Sequence, residues 1–410
     1  EFLDRQTSRQ NGTYRGPAGI VSLENHELVL CNDLGLEVES SILNLLDETM
    51  TNSGRDLLLN EMVQGFDEFE KIQKRQRDIE SLQKYLWEIK RFRILGKQVS
   101  QHLNTRELAS NINEPIVPEN FPKLFLSHII AFVVTWSLVI ASVMGSISLN
   151  PILPFLAYLF YSLFTRSSIE TAFSKAQKYS LDLKALTPIF EMIEVRWKGS
   201  SLQNFFPESI SSSPSQGLKK VDRLVQFLSI QGHPMVHFVL NAISPWDYLF
   251  TYFLERWRKQ FSKNFPKALN EVTKFEVLVS LGFFYHYQSK TWPELSKDTS
   301  LELTEAFHPL IARDQSVANS LSLPDKTNVV LITGSNMSGK STFLRTVGIN
   351  QVLARMGAPV FAKKMKSNMA PVATLMKVQD SLEAGLSTFY YEVKQVSYIL
   401  ERARKGDKFL

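Results

Sequence analysis

The chain has 410 residues, 44% of them hydrophobic, and carries 46 basic against 41 acidic side chains for a net charge of +5. That length suits two to three domains with a sizeable core, and the mild basic excess permits contact with nucleic acid or an anionic membrane without demanding either. The sole cysteine, Cys31, excludes an internal disulfide and suits a reducing compartment for the soluble parts, and no basic-then-apolar run at the start marks a secretory leader.

Residues 1–37 are expected to form an N-terminal segment of short strands or linker, because 19–31 partly alternate and hold β-branched residues. Residues 38–122 read as the first part of a helical core. Ile42, Leu45, Leu46 and Met50 recur at helical spacing, a turn follows at Thr51-Asn52-Ser53-Gly54, and Phe69, Ile72, Ile79, Leu82 and Leu86 line one side of a second run. Pro115, Pro118 and Pro122 then break the helical pattern.

Residues 123–166 are expected to be a transmembrane hairpin. The stretch 124–165 has no Asp, Glu, Lys or Arg. Its first part, 124–145, makes a helix of roughly 33 Å, enough for a hydrocarbon core of about 30 Å. The second, 152–164, spans roughly 20 Å and needs neighbouring residues or local thinning to cross. Lys123 precedes the hairpin and Arg166 and Lys175 follow it, so the positive-inside rule puts both flanking parts in the cytoplasm, as in a multi-pass membrane protein. The competing reading is a pair of helices buried in a large helical core.

Residues 167–297 read as the second part of the helical core, with breaks at Gly232-His-Pro234 and Ser244-Pro245. Its aromatic residues beside Arg256, Arg258, Lys259, Lys263 and Lys267 are expected to be a packing stripe with solvated cations rather than a base-stacking surface. From 298 to 410 strand-like and helical runs alternate: 328–333, 341–356, 372–378 and 388–403. That alternation predicts an α/β domain with a largely parallel sheet. The fold class expected for the whole is a mainly helical core with a transmembrane hairpin, followed by an incomplete C-terminal α/β P-loop NTPase domain.

The chemistry sits in this last region. The apolar run Val329-Val-Leu-Ile-Thr333 reads as a buried strand and leads into Gly334-Ser335-Asn336-Met337-Ser338-Gly339-Lys340-Ser341, after which Thr342 opens a helix. This is the P-loop pattern in strand, loop and helix context. The two glycines let backbone N–H groups turn onto phosphate oxygens, and the helix N-terminus adds about half a positive charge. Lys340 is placed to reach the β- and γ-phosphates of a nucleoside triphosphate, ATP above all, and the Ser341 hydroxyl to ligate Mg²⁺. The seven histidines are scattered and, with one cysteine, give no zinc-type spacing.

The loop and its neighbours resemble the MutS mismatch-repair ATPases. The resemblance is carried by Asn336-Met337 with the following Ser341-Thr-Phe-Leu-Arg345, by His308-Pro-Leu-Ile311, by Val317-Ala-Asn319, and by Asp380-Ser-Leu-Glu-Ala-Gly-Leu-Ser-Thr-Phe389 followed by Glu392. The stretch from Asn44 to Leu58 is similar to the start of the family's helical core. The resemblance implies a nucleotide pocket shaped by Asn336, Met337 and Val317, and a contact from Ser387 and Thr388 to the nucleotide of a partner subunit. It also implies a homodimer through the ATPase domain and binding to double-stranded DNA. Ser316 and Val317 stand where family members place an aromatic residue against adenine, and there is no Phe-x-Glu mismatch reader. Phe409-Leu410 reads as the start of the strand that ends in the Walker B Asp-Glu pair, so residues 1–410 read as a fragment expected to bind ATP and to hydrolyse it poorly. The expected whole is thus a membrane-attached, MutS-like, DNA-binding ATPase. The alternative is an ATP-gated membrane scaffold or transport-coupled ATPase with no nucleic-acid role, contacting lipid through residues 124–165.

Overall fold

A computed structural model of the chain describes residues 25–410 except 38–40, 101–104, 106–107, 109–110, 166, 229–233, 299, 326, 328, 376–387 and 406–408. It divides into two compact units, one of residues up to Arg93 together with Thr273–Leu410, the other of Ile94–Val272.

In chain order the first helix is α1 (Asn25–Leu34). This corrects the strands expected there, with 1–24 lying outside the described residues. The apolar residues that matter are Leu30, Cys31 and Leu34, all buried at helical spacing in the core of their unit, and α1 packs on the P-loop helix. Next come α2 (Ile42–Leu46), α3 (Asn52–Gln64), α4 (Phe69–Leu82) and α5 (Leu86–Ser100). Ser41 and Thr51 cap α2 and α3, their hydroxyls accepting from the backbone N–H groups of Asn44 at 3.0 Å and Gly54 at 3.1 Å. The turn between them is braced by Arg55, which reaches Asp47 at 2.6 Å and the Asn44 side-chain oxygen Oδ1 at 3.1 Å.

The second unit holds α6 (Phe121–Val143), α7 (Ile152–Thr165), α8 (Ser167–Glu191), α9 (Pro207–Ser212), α10 (Pro214–Leu228), α11 (Pro234–Ile243) and α12 (Trp246–Phe261). Helices α6 and α7 form the expected hairpin, turned at Gly145 in the left-handed region (φ 74°). Their burial is confined to a seam. On α6 only Phe121, His128 and Thr135 are buried, at seven-residue spacing, and on α7 only Tyr158 and Thr165. At the base His128 Nε2 lies 3.0 Å from the Thr165 hydroxyl, and its ring stacks on Tyr248 of α12 at 3.6 Å. Much of the remaining hairpin surface is apolar and exposed, including Ile130, Val133, Val143, Leu156, Phe160 and Phe164. Among the described residues α6 is the one helix long and apolar enough to cross a membrane. A buried core pair would show the opposite exposure.

The aromatic stripe of this unit is packing, as expected. Trp257, Phe261 and Phe265 stack in series at 4.8 and 4.5 Å, and the Trp257 indole donates to the Gly217 carbonyl at 2.9 Å. One of the cations assigned to a solvated face is not solvated. Arg258 is buried, paired with Glu255 at 2.6 Å, and donates to the carbonyls of Ile112 and Asn113. The pair closes the proline-rich segment onto α12, because Glu255 also accepts from Ile116 N–H at 3.2 Å.

After α13 (Phe265–Tyr287) come β1 (Glu294–Leu295), β2 (Leu301–Ala306), β3 (Asn319–Leu323), α14 (Lys340–Arg355), β4 (Lys364–Ser367) and α15 (Thr388–Arg404). Helices α14 and α15 lie where the alternation put them. The sheet does not match the largely parallel expectation: its order is β1-β4-β2-β3, and only β1 and β4 run parallel. The antiparallel pairing follows from two closely spaced strands, β2 and β3, folding back on each other, with β4 returning beside β2. Core residues from α1, α3, α13, α14, the sheet and the segment between α14 and β4, among them Leu34, Met62, Val277, Leu303, Ile349, Leu353 and Phe361, form one cluster.

Within that core one carboxylate organises the start of α3. Glu276 of α13 is buried and accepts from Met50 N–H, Thr51 N–H and the Thr51 hydroxyl at 3.2, 3.1 and 2.9 Å. Burial outweighs these bonds and pushes its pKa from 4.5 up to about 7. The folded state therefore favours the protonated form, so this contribution to stability is full below 4.5 and is lost as pH rises through 7. Glu276→Gln should remove that dependence: relative to the variant, the wild type is expected to lose on the order of 3 kcal/mol across this window. Thermal unfolding of both proteins below 4.5 and above 7 checks it.

Candidate functional site

The P-loop lies at the N-terminus of α14. Gly339 adopts φ 87° and caps the helix, and Met337 adopts φ 65°, so two left-handed residues curl the segment between Gly334 and Lys340. A Cβ on Gly334 would stand 2.9 Å from the Ser338 hydroxyl, which would have to turn aside. The Lys340 ammonium folds over this curl and donates to the carbonyls of Gly334 at 2.8 Å and Ser335 at 2.5 Å. It also lies 3.5 Å from the Ser338 hydroxyl. The first turn of α14 carries no acidic residue, so the helix N-terminus and the ammonium add their positive potentials. Ser335, Asn336, Met337, Ser338, Ser341 and Thr342 are exposed around the same curl. A helix N-terminus with such a loop offers backbone N–H groups and positive potential, a chemistry that can accept an anion.

The run 329–333 departs from expectation. It is irregular rather than a strand, and Val329 and Leu331 are 86% and 85% exposed. Strand propensity gives an extended backbone, but a buried parallel strand also needs neighbours on both sides, and among the described residues none pairs with it. A parallel pattern does occur at 371–373. There Leu410 N–H donates to the Pro371 carbonyl at 2.9 Å and Ala373 N–H donates to the Leu410 carbonyl at 3.1 Å, with α15 between the two segments.

The other expected site residues are spread around this unit. Val317 lies between β2 and β3, 76% exposed, its carbonyl accepting from the Asn319 side chain at 3.0 Å. His308 follows β2; its Nδ1 accepts from Leu310 N–H at 3.3 Å, and burial together with the nearby Arg345 guanidinium lowers its pKa. Thr388 opens α15 and Glu392 falls on the same helix, whereas Ser387, Asp380 and Glu383 lie outside the described residues.

Two site-supporting residues escaped sequence reasoning. Asn350 and Gln351 of α14 are polar and fully buried. Asn350 accepts from Phe361 N–H at 2.7 Å and donates to the Thr346 carbonyl at 2.8 Å. Gln351 accepts from the Ser367 hydroxyl at 2.9 Å and donates to Asn368 and to the Ala370 carbonyl. These bonds fix the P-loop helix to β4 and the segment after it. The far end of α14 is tied down as well, by Arg355 to Asp67 at 2.9 Å and by Phe66 N–H to the Arg355 carbonyl at 2.9 Å. Gln351→Leu keeps the volume but strands Ser367, Asn368 and Ala370 without this partner. It should cost roughly 2–3 kcal/mol of stability, measurable as a lower urea midpoint at unchanged slope.

Residues 330–408 match the family model for MutS domain V. The chain is also similar to the DNA mismatch repair proteins MutS of Staphylococcus aureus strains JH9, Newman and N315, each 27% identical over 209 residues. That similarity covers 50% of this chain and 24% of each relative's length. The P-loop at the head of α14 lies inside the matched segment, so it is this C-terminal part of the chain that is similar to MutS domain V.

Proposed function

We propose that this chain is the ATP-binding part of a MutS-type ATPase attached to a membrane by the α6–α7 hairpin. The observation that carries the nucleotide reading is the loop from Gly334 to Lys340, with its left-handed residues, its exposed hydroxyls and the Lys340 ammonium at a helix N-terminus free of acidic side chains. In this reading the loop's backbone and Lys340 hold the phosphates, Ser341 holds Mg²⁺, and Asn336, Met337 and Val317 border the nucleotide. Bound Mg²⁺ would supply charge neutralisation between phosphate oxygens. Thr388, and Ser387 before it, would face the nucleotide of a second copy of the chain. The membrane reading is supported by the apolar, exposed surface of α6 and α7, of which only a narrow seam is buried.

The relatives' name carries DNA into the proposal. The exposed apolar hairpin favours a second reading, in which nucleotide binding gates a membrane protein that has no contact with nucleic acid. A duplex-binding series at rising salt, with and without Mg-ATP, separates the two. The DNA reading expects affinity to fall on a log–log plot with a slope of about −0.9 per phosphate contacted. Binding that is absent at low salt would leave the membrane-gating reading.

A further inference from the structure

A second stretch without formal charge lies outside the hairpin. Residues 224–246 contain no Asp, Glu, Lys or Arg, and they include α11 (Pro234–Ile243). On α11 Met235, Val236, Phe238, Val239 and Ile243 are exposed, Met235 by 81%. Met235, Val239 and Ile243 recur at four-residue steps and with Val236 form one face, while Phe238 lies beyond the buried Ala242.

The position of α11 is set by its neighbours. It packs against α7 of the hairpin and against α12. Helix α12 begins three residues after Ile243, and in its first turn the Tyr248 hydroxyl donates to the Thr165 carbonyl at 3.1 Å. Thr165 is the last residue of α7, and Phe125, near the start of α6, stacks on Tyr252 at 4.8 Å. The first half of α12 thus meets the hairpin where both of its helices begin and end, and α11 leads directly into it. The exposed charges that bracket the run are mainly basic: Lys219, Lys220 and Arg223 before it, Arg256 and Lys259 after it, while Asp247 is buried.

We propose that α11 lies in the headgroup plane at the base of the hairpin, its Met235–Val239–Ile243 face set into the acyl boundary of an anionic phospholipid bilayer. The proposal rests on the reading of α6 and α7 as membrane-inserted. A short uncharged helix with one apolar face, bracketed by basic residues, has the chemistry of an in-plane element rather than a span. At ten residues it is too short to cross. It would add a third contact with lipid and fix how α12, and with it the helical unit, approaches the surface.

The test uses the full chain in vesicles of phosphatidylcholine and phosphatidylglycerol. Two single substitutions at exposed positions, Val239→Cys on α11 and Val133→Cys in the middle of α6, receive an environment-sensitive fluorophore. Native Cys31 is buried and its thiol is pushed up to about 12, so it stays unlabelled. Lipids carrying a nitroxide near the headgroup or deep in the chain act as quenchers, with iodide as the aqueous one. The proposal expects the Val239 label to be quenched mainly by the shallow lipid and the Val133 label mainly by the deep one, both shielded from iodide. A Val239 label quenched by iodide alone, beside a Val133 label quenched by deep lipid, leaves the hairpin in the membrane and overturns the placement of α11. A Val239 label shielded from all quenchers means protein covers the face, such as a second copy, and overturns it too. A Val133 label blind to both lipids sinks the membrane reading and this inference with it.

Discussion

Lys340→Ala is expected to weaken ATP binding by at least two orders of magnitude while leaving unfolding unchanged. Among the described residues the ammonium meets the carbonyls of Gly334 and Ser335 and the Ser338 hydroxyl of its own loop, so its loss removes no core packing there. What is lost is a charge aimed where phosphate oxygens would sit. Hydrogen bonds to charged groups contribute about 1.5–3 kcal/mol each, and one or two of them account for a factor of roughly 100 or more. Titration of fluorescent ATP into wild type and variant reads the effect. Undiminished affinity would remove the P-loop from the site, whatever family the domain belongs to.

Charging the hairpin in mid-span is the second large effect. Val133 on α6 and Leu156 on α7 are 54% and 51% exposed. In a water-soluble hairpin, lysine at such positions would be harmless and would improve solubility. In a bilayer, each charge near the centre costs about 2.5–3.5 kcal/mol on insertion scales, so the pair costs roughly 5–7 kcal/mol. The double variant Val133→Lys, Leu156→Lys should therefore move from the alkali-resistant membrane fraction to the extractable one or be degraded. The seam residues His128, Thr135, Tyr158 and Thr165 are untouched, so a packing defect is not the cause. Identical fractionation of wild type and variant would return the hairpin to the soluble surface.

How much of this was legible in the sequence depended on whether the signal was local. The P-loop helix, α15 and the two apolar helices are written in contiguous residues, and they stand where periodicity and motif put them. The region around α1 misled because partial alternation of apolar residues resembles a strand, whereas the deciding spacing is Leu30, Cys31 and Leu34 against a helix more than 300 positions away. Glu276 sits in a helical run that reads as apolar packing. Its partners, Met50 and Thr51, lie 226 and 225 positions upstream, so no local pattern announces a buried carboxylate. Asn350 and Gln351 look like solvent-facing residues for the same reason. Residues 329–333 show the converse: propensity identifies extended backbone, but pairing belongs to the partners, and the sheet that forms is made by β1, β4, β2 and β3.

The most direct test of the account is co-flotation of nucleotide with lipid. The purified chain is reconstituted into vesicles, incubated with labelled ATP and Mg²⁺, and floated through a density gradient. The account expects protein and label to rise together, the label to be displaced by excess unlabelled ATP, and the Lys340→Ala protein to rise without label. Wild-type protein that rises without label would contradict the nucleotide site, and protein that stays at the bottom with its label would contradict the membrane attachment.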